Sequence, residues 1–568
     1  MPENPWFPAF RRRIVLLSML VSRVVFSASA TIVLEGPDHL AQWMTPYLPE
    51  ESVAMGRLET MLREMLATEG YFSPSFTMTE TEEGLRVRFD PGPRVFVAGV
   101  DLAIDGPVAE ETKKSLITAW RLPAGQAFRQ QDWSEAKQQV LAGLLAVAHA
   151  DARLLDSAAE IDAEKRQAHL KAHYDSGPPY RFGALRVHGL YRHSASLIER
   201  YNRAVRAGAP YREEDLAALR SALAATPYFA SARVMLDRDN AVASADGTRI
   251  APVDVSIRER PAHRLGFGAG ASSNTGARVE ATYHTPNLFN QSWVLDSGLR
   301  VEQKQRIAYA DVTLPPDERN RRHAFGVMIE TTDIERLRTD RQALGLRTIQ
   351  PRGSVEQRLS LNWERERRRP EGRKADITRT LAPDVQWTWR QVDDPLDPRR
   401  GTVLQVRVGG GAKALLSDQN FLRLHGRWLQ YIPLGERDSL AVRVEVGTTL
   451  APSRDGIPQT YLFRAGGTGS VRGYAYQSLG VKEGAATVGG RYLAVASVEA
   501  THWITPAWGV AAFVDAGDAA DRRGDLNLAV GYGLGARWKS PAGPIGADLA
   551  YGQRTRELHI HFALGIPF

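Results

Sequence analysis

Hydrophobic spacing changes character once along this chain, near residue 265. Before that point a short apolar strand closed by glycine returns three times. The copies are Ile32-Val33-Leu34-Glu35-Gly36, Leu102-Ala103-Ile104-Asp105-Gly106 and Leu185-Arg186-Val187-His188-Gly189, with glycines 70 and then 83 residues apart. Each copy leads into a segment whose apolar residues recur at three and four (53–68, 131–148, 213–225), the spacing of a helix with one buried face. Strand-like sequence returns at 85–89, 167–174 and 252–257, and Asp90-Pro91-Gly92-Pro93 and Asp175-Ser176-Gly177-Pro178 open the second and third copies. Three copies of a small βααββ domain account for this order more simply than chance alternation in one α+β protein.

From residue 265 the period is two. Leu404, Val406 and Val408 alternate with Gln405 and Arg407; Leu422, Leu424 and Trp428 with Arg423, His425 and Arg427; Val442, Val444 and Val446 with Arg443 and Glu445. One apolar and one charged face suits a strand between lipid and a wet lumen, and the charged face is too charged for the packed inside of a soluble β-sandwich, the alternative. Eight of the twelve tryptophans fall here (Trp293, Trp363, Trp387, Trp389, Trp428, Trp503, Trp508 and Trp538), often near strand ends, where interfacial girdles sit. The 304 residues from 265 to 568, shared among sixteen strands, give 19 each, against roughly 9–11 needed to cross a bilayer.

Arg11, Arg12 and Arg13 precede the apolar run 14–21, and Ala28-Ser29-Ala30 follows, the layout of a secretory signal over 1–30. Ser22 and Arg23 interrupt the run well short of a bilayer's thickness, against a membrane anchor. Beyond residue 30 no stretch offers the roughly 18 uncharged apolar residues of a spanning helix, which excludes a helical transporter. The net charge of +7 (72 basic against 65 acidic residues) becomes +4 without residues 1–30 (68 against 64), far from the clustered basicity of a nucleic-acid binder. The absence of cysteine removes disulfides, thiolate metal sites and a cysteine nucleophile.

Four stretches resemble one family closely: GGTGSVRGY (466–474), FVDAGD (513–518), GYGLGARWKSPAGPI (531–545) and Pro286-Asn287-Leu288-Phe289. They resemble the outer-membrane assembly factors and two-partner secretion transporters. The resemblance implies α+β periplasmic POTRA domains (three βααββ repeats) followed by a 16-stranded antiparallel transmembrane β-barrel. The expected boundaries are 1–30 signal peptide, 31–92, 93–177 and 178–260 POTRA 1 to 3, and 261–568 barrel. Three repeats resemble the TamA-type branch, since BamA-type relatives carry five and two-partner transporters two; Tyr180-Arg181-Phe182-Gly183 resembles that branch too. The ending Gly565-Ile566-Pro567-Phe568 departs from the family pattern, because Pro567 removes a hydrogen-bond donor.

By this resemblance Gly466, Gly467, Val471, Arg472, Gly473 and Tyr474 form a loop folded into the lumen, where Arg472 pairs with Asp515, near Gly517. The residue types agree: a guanidinium set among glycines approaches a wall closely, and a lumen carboxylate suits a bidentate partner. The alternative is an exposed loop with an unpaired arginine. The implied work is assembly of unfolded outer-membrane clients such as autotransporters, with a TamB-like inner-membrane-anchored partner, in contact with outer-membrane lipids and lipopolysaccharide, without nucleic acid or cofactor. Export of a large exoprotein by a two-partner transporter and lipid traffic are the alternatives.

Catalytic readings find little. The glycine-rich run lacks a GKS or GKT ending and G-x-G-x-x-G spacing, and no G-x-S-x-G is present for a phospholipase, so no catalytic residue is expected. His559 and His561, two apart on one strand face, suit a metal or, more simply, a polar lumen pair, and no metal site is expected. Arg365 to Lys374, interleaved with Glu364, Glu366 and Glu371, reads as a solvated loop or an anchor for anionic lipopolysaccharide. A passive porin has no need of three repeats.

A client strand carries unpaired N–H and C=O groups that are costly in hydrocarbon, so it needs a template edge. The expected edges are those of the small sheets and a seam between the first barrel strand, about 264–272, and the last, 557–568. Gly266, Gly268 and Gly270 on one side, with Gly565, Pro567 and the terminal Phe568 on the other, make that seam weak.

Overall fold

The computed structural model describes residues 31–49, 53–81, 84–540 and 543–564. The expected signal segment 1–30, and with it Gly565 and Phe568, lie outside the described residues. The first repeat runs β1 (Thr31–Glu35), α1 (Asp38–Met44), α2 (Met55–Thr68), β2 (Ser75–Thr81) and β3 (Gly84–Asp90). The second runs β4 (Phe96–Asp105), α3 (Glu110–Thr118), α4 (Gln130–Ala146), β5 (Arg153–Asp162) and β6 (Gln167–Asp175). The third runs β7 (Tyr180–His188), α5 (Ser196–Tyr201), α6 (Glu213–Ala224), β8 (Phe229–Leu236), the short β9 (Val242–Ala243) and β10 (Arg249–Glu259).

Each repeat folds its last long strand into the middle of its sheet, giving the orders β1-β3-β2, β4-β6-β5 and β7-β10-β8. In the first two sheets the opening strand lies parallel to that central strand, which requires the helical crossover between them. The second repeat shows how the pattern becomes a core. Helix α4 buries Trp133, Ala136, Val140 and Leu144 at helical spacing, while β6 buries Ala168, Leu170, Ala172 and Tyr174 at every second position. The first repeat does the same with Leu58, Leu62 and Leu66 of α2 against Val87 and Phe89 of β3. The chain divides into two compact units, and the division runs through the third repeat: Leu185–Arg206 and Asp215–Leu236 group with the barrel.

The barrel strands are β11 (Arg264–Ser272), β12 (Gly276–Leu288), β13 (Trp293–Glu302), β14 (Gln305–Thr313), β15 (Arg322–Ile334), β16 (Leu337–Arg352), β17 (Val355–Pro370) and β18 (Asp376–Val392). There follow β19 (Gly401–Gly411), β20 (Phe421–Leu434) and β21 (Asp438–Leu450), then β22 (Val481–Glu483) and β23 (Ala486–Val488), a small hairpin within one long loop. The last four are β24 (Tyr492–Trp503), β25 (Trp508–Ala520), β26 (Ala529–Ser540) and β27 (Gly543–Gly552), before the final β28 (Glu557–Leu564). Sixteen of these form one antiparallel sheet running β11 to β21 and then β24 to β28. Its outer face carries Val510, Val514, Leu534, Leu549, Leu558 and Ile560, all exposed, as a lipid-facing wall requires. Trp508 stacks on Trp538 at 5.2 Å at one rim.

Two details matter for the site. Among the described residues no ladder joins β11 to β28; one hydrogen bond reaches across, from the Phe562 N–H to Ser273 Oγ in the turn after β11, at 3.2 Å. And the loop expected over 365–374 is for the most part strand: Arg365 to Arg369 lie in β17, and only the residues after Pro370 turn. Charge on both faces, arginines outward and Glu364, Glu366 and Arg368 inward, had hidden the period of two there.

Candidate functional site: the lumen loop and the strand seam

The loop between β21 and β24 begins and ends on neighbouring strands, yet its 41 residues fold back against the inner wall. Glycine permits the closest approach. Gly473 sits at φ +89°, and a Cβ on it would lie 2.8 Å from the backbone of Tyr551 and Gly552. On the wall, a Cβ at Gly531 would lie 1.8 Å from the Arg472 carbonyl oxygen, so these two glycines let loop and wall touch backbone to backbone. A tight turn precedes them, in which Gly466 N–H donates to Ser470 Oγ and Gly467 N–H to Val471 O. Val471 is buried beside Val495 and Phe463, and a Cβ at Gly517 would come within 2.9 Å of it.

This turn aims Arg472 at a group of carboxylates. Its Nε donates to Asp515 Oδ2 at 2.7 Å and its Nη2 to Asp515 Oδ1 at 3.0 Å, while its backbone N–H reaches Oδ2 at 3.0 Å. Nη1 donates to Glu499 at 2.6 Å and Asp548 at 3.0 Å. The guanidinium lies over the Phe513 ring, 3.4 Å from its centroid. Ser497 donates to Asp515 at 2.6 Å, and Asp515 is fully buried. Arg537 closes the network by donating to both Glu499 and Asp548, and Arg443 holds the loop carbonyls of Gly469 and Ser470. Arg472, Arg537, Asp515, Glu499 and Asp548 therefore each have an opposite neighbour, the condition under which burying charge is tolerable.

The loop also reaches the last strand. Gly473 N–H donates to His561 Nε2 at 2.9 Å, and the Tyr474 hydroxyl donates to Val530 O while accepting from Arg554 N–H. His559 and His561 face the lumen with rings 6.0 Å apart, and among the described residues no cluster of three metal-ligating side chains occurs. Farther along, the β22–β23 hairpin binds the opposite side of the barrel. Thr487 N–H donates to Glu335 O and Ala485 N–H to Glu371 O, and Glu483 accepts from Arg368 and Arg454.

Sequence reasoning brought Arg472 and Asp515 together and missed Glu499, Asp548, Arg537, Ser497 and the His561 contact. The available signal was parity: 497 and 499, 537 and 548 all stand on lumen positions of otherwise small or apolar strands. Gly266, Gly268 and Gly270 line β11 at the seam, and a Cβ at Gly268 would meet nothing within 4 Å.

A sixteen-stranded membrane barrel whose long loop folds inward and pins an arginine to wall carboxylates is a defined class of outer-membrane β-barrel. The chain belongs to the Omp85 superfamily, whose domain matches residues 261–568. It is 27% identical over 176 residues to the outer membrane protein assembly factor BamA of Nitratidesulfovibrio vulgaris; the match covers 30% of this chain and spans only 22% of that protein's length. Among solved structures, BamA from Haemophilus ducreyi lacking POTRA domains 1–3 superposes with a TM-score of 0.70 at 17% identity, covering 83% of this chain and 100% of that one, so the fold is shared. CdiB from Acinetobacter baumannii matches with a TM-score of 0.45 at 12% identity, over 92% of this chain and 97% of that one.

Proposed function

We propose that this chain is a TamA-type outer-membrane assembly factor that inserts β-barrel clients, autotransporters among them, through the seam between β11 and β28, without enzymatic chemistry. The observation that carries the reading is the seam itself. Two strand edges face each other with no ladder between them among the described residues, and the lumen loop is bonded to the β28 side through His561. An unpaired edge at the membrane is a template on which an incoming strand satisfies its own N–H and C=O groups.

The N-terminal repeats support the same reading as a periplasmic arm with boundaries near 31–92, 93–177 and 178–260. Among the described residues, β1, β2, β5 and the part of β4 beyond Val97 are outer strands of the first two sheets with no further strand beside them, edges suited to β-augmentation. Three repeats rather than two favour assembly over two-partner export, and a TamB-like protein is the partner this reading calls for. The test is reconstitution: the purified chain in liposomes, offered a urea-unfolded autotransporter barrel, should speed the appearance of heat-modifiable, protease-protected client over empty liposomes. Equal rates would defeat the assembly reading, and release of a large exoprotein into the lumen of such vesicles would replace it with the two-partner one.

A further inference from the structure

Strand β17 carries an ordered sequence of side chains up its outer face. Leu359 and Leu361 are exposed, 46% and 38%, on the apolar band shared with Leu344 and Leu346 of β16. Trp363 follows on the same face, opposite Leu344 and Leu381. The next three outward positions are Arg365, Arg367 and Arg369, while Glu364, Glu366 and Arg368 turn inward and are buried. Hydrocarbon, interfacial aromatic and cation thus succeed one another in steps of two residues, roughly 7 Å each, at the end of the barrel away from where the chain enters β11.

The neighbouring strands add two arginines to this patch and one shared carboxylate, Asp340. Arg379 stands directly opposite Arg365, and Arg338 directly opposite Arg369. Like charges placed face to face across a ladder are destabilising. The acidic side chains nearby are Asp333, opposite Arg338, and Asp340, which stands opposite Arg367, accepts from Thr331 and pairs with both Arg338 and Arg369. Asp418 takes the backbone N–H of Arg379, leaving the guanidinium out. Among the described residues, Arg365, Arg367 and Arg379 have no ion-pair or hydrogen-bond partner for their side chains. A repelling pair, Arg365 and Arg379, kept with Arg367 just above an interfacial tryptophan is what a phosphate at headgroup height would relieve, since guanidinium groups bind phosphate in bidentate fashion.

We infer that this outer-wall patch, centred on Arg365, Arg367 and Arg379, binds the phosphorylated headgroup of an outer-leaflet glycolipid, its acyl chains lying along the Leu344–Leu361 band. The inference needs only that the barrel spans an outer membrane, and it stands apart from the assembly reading.

The experiment uses the full chain in detergent micelles, with diphosphoryl lipid A, monophosphoryl lipid A, phosphatidylglycerol and inorganic phosphate as probes, and native mass spectrometry as readout. Diphosphoryl lipid A should bind tightest. The combined variant Arg365→Gln, Arg367→Gln, Arg379→Gln should bind it at least about tenfold more weakly, whereas Arg373→Gln with Lys374→Gln in the adjoining turn should change nothing. Arg367→Gln alone, which removes an exposed group without a partner, is the variant to read if the triple one does not fold, and a several-fold loss is expected. Unchanged binding in the triple or the single variant, equal retention of phosphatidylglycerol, or displacement by millimolar inorganic phosphate would each overturn the site.

Discussion

The backbone N–H of Gly473 and the Nε2 of His561 lie 2.9 Å apart, so the lumen loop and the last barrel strand share a hydrogen bond. His561 accepts there, which places its proton on Nδ1, and its ring is 4% exposed. The loop thus touches the β28 side of the seam through His561, while Thr468 accepts from Asn274 in the turn after β11. Replacing it by alanine leaves a buried N–H without an acceptor, a loss of about 1–3 kcal/mol. His561→Ala should raise hydrogen exchange at Gly473 and protease cutting within 466–474; His561→Gln, which restores an acceptor, should recover part of the protection. Identical exchange in wild type and the alanine variant would show that the bond does not hold the loop.

Arg472 and Asp515 form the second relationship, and here burial sets the scale, with side chains 7% and 0% exposed. Removing one partner strands the other in a dry site at roughly 3–5 kcal/mol. Glu499 and Asp548 also bind Arg472, so losing the arginine leaves three carboxylates close together, two of them held by Arg537 and Asp515 without its ion pair. Arg472→Ala should therefore cost more than Asp515→Ala, and the double variant should cost less than the sum. Heat-dependent gel mobility of the barrel measures all three, and strict additivity would argue against direct contact.

Acid should loosen the link between the third repeat and the barrel. Burial pushes the His193 imidazole below its ordinary value of 6.5; its Nδ1 pairs with Ser292 Oγ at 2.9 Å. For Glu259, burial works to raise the carboxyl, but the N–H groups of Arg192, Tyr191 and His193 outweigh it and hold it below 4.5. Both folded-state values are depressed, so the native state binds fewer protons than the unfolded chain. The stability each supplies is complete above its ordinary value and is lost as pH falls through its folded value. Hydrogen exchange at 189–193, corrected for intrinsic rates, should show protection falling first below about pH 6.5 from His193 and again below about 4.5 from Glu259. In His193→Gln the first decline should vanish; its persistence would assign the effect elsewhere.

Much of this architecture is legible before any coordinates because period and burial agree. The run 264–272 marks β11, and the spacing of Leu58, Leu62 and Leu66 marks α2, since in both cases one face alone is apolar. The short helices α1, α3 and α5 escape, because two turns carry too few residues for a period to emerge. Arg365 to Arg369 escape for a different reason: where a strand leaves the membrane both of its faces are polar, and alternation of sign replaces alternation of hydropathy. The carboxylates at 499 and 548 look like any lumen-facing charge until the loop arrives beside them. Pairing between a 41-residue loop and the wall is a tertiary fact, and only the glycines that allow its close approach are visible in one dimension.

The seam is the claim on which the proposed activity depends. The chain has no native cysteine, so a pair introduced across it can form only one intramolecular bridge. Positions 269–273 paired with 558–562 bracket the contact between Ser273 and Phe562, and a scan is needed because disulfides demand Cα atoms about 4.4–6.8 Å apart. With the chain reconstituted in liposomes, at least one pair should crosslink under mild oxidation, client insertion should stop in the crosslinked protein, and reduction should restore it. A fully crosslinked barrel that still inserts client at the wild-type rate would contradict passage through the seam.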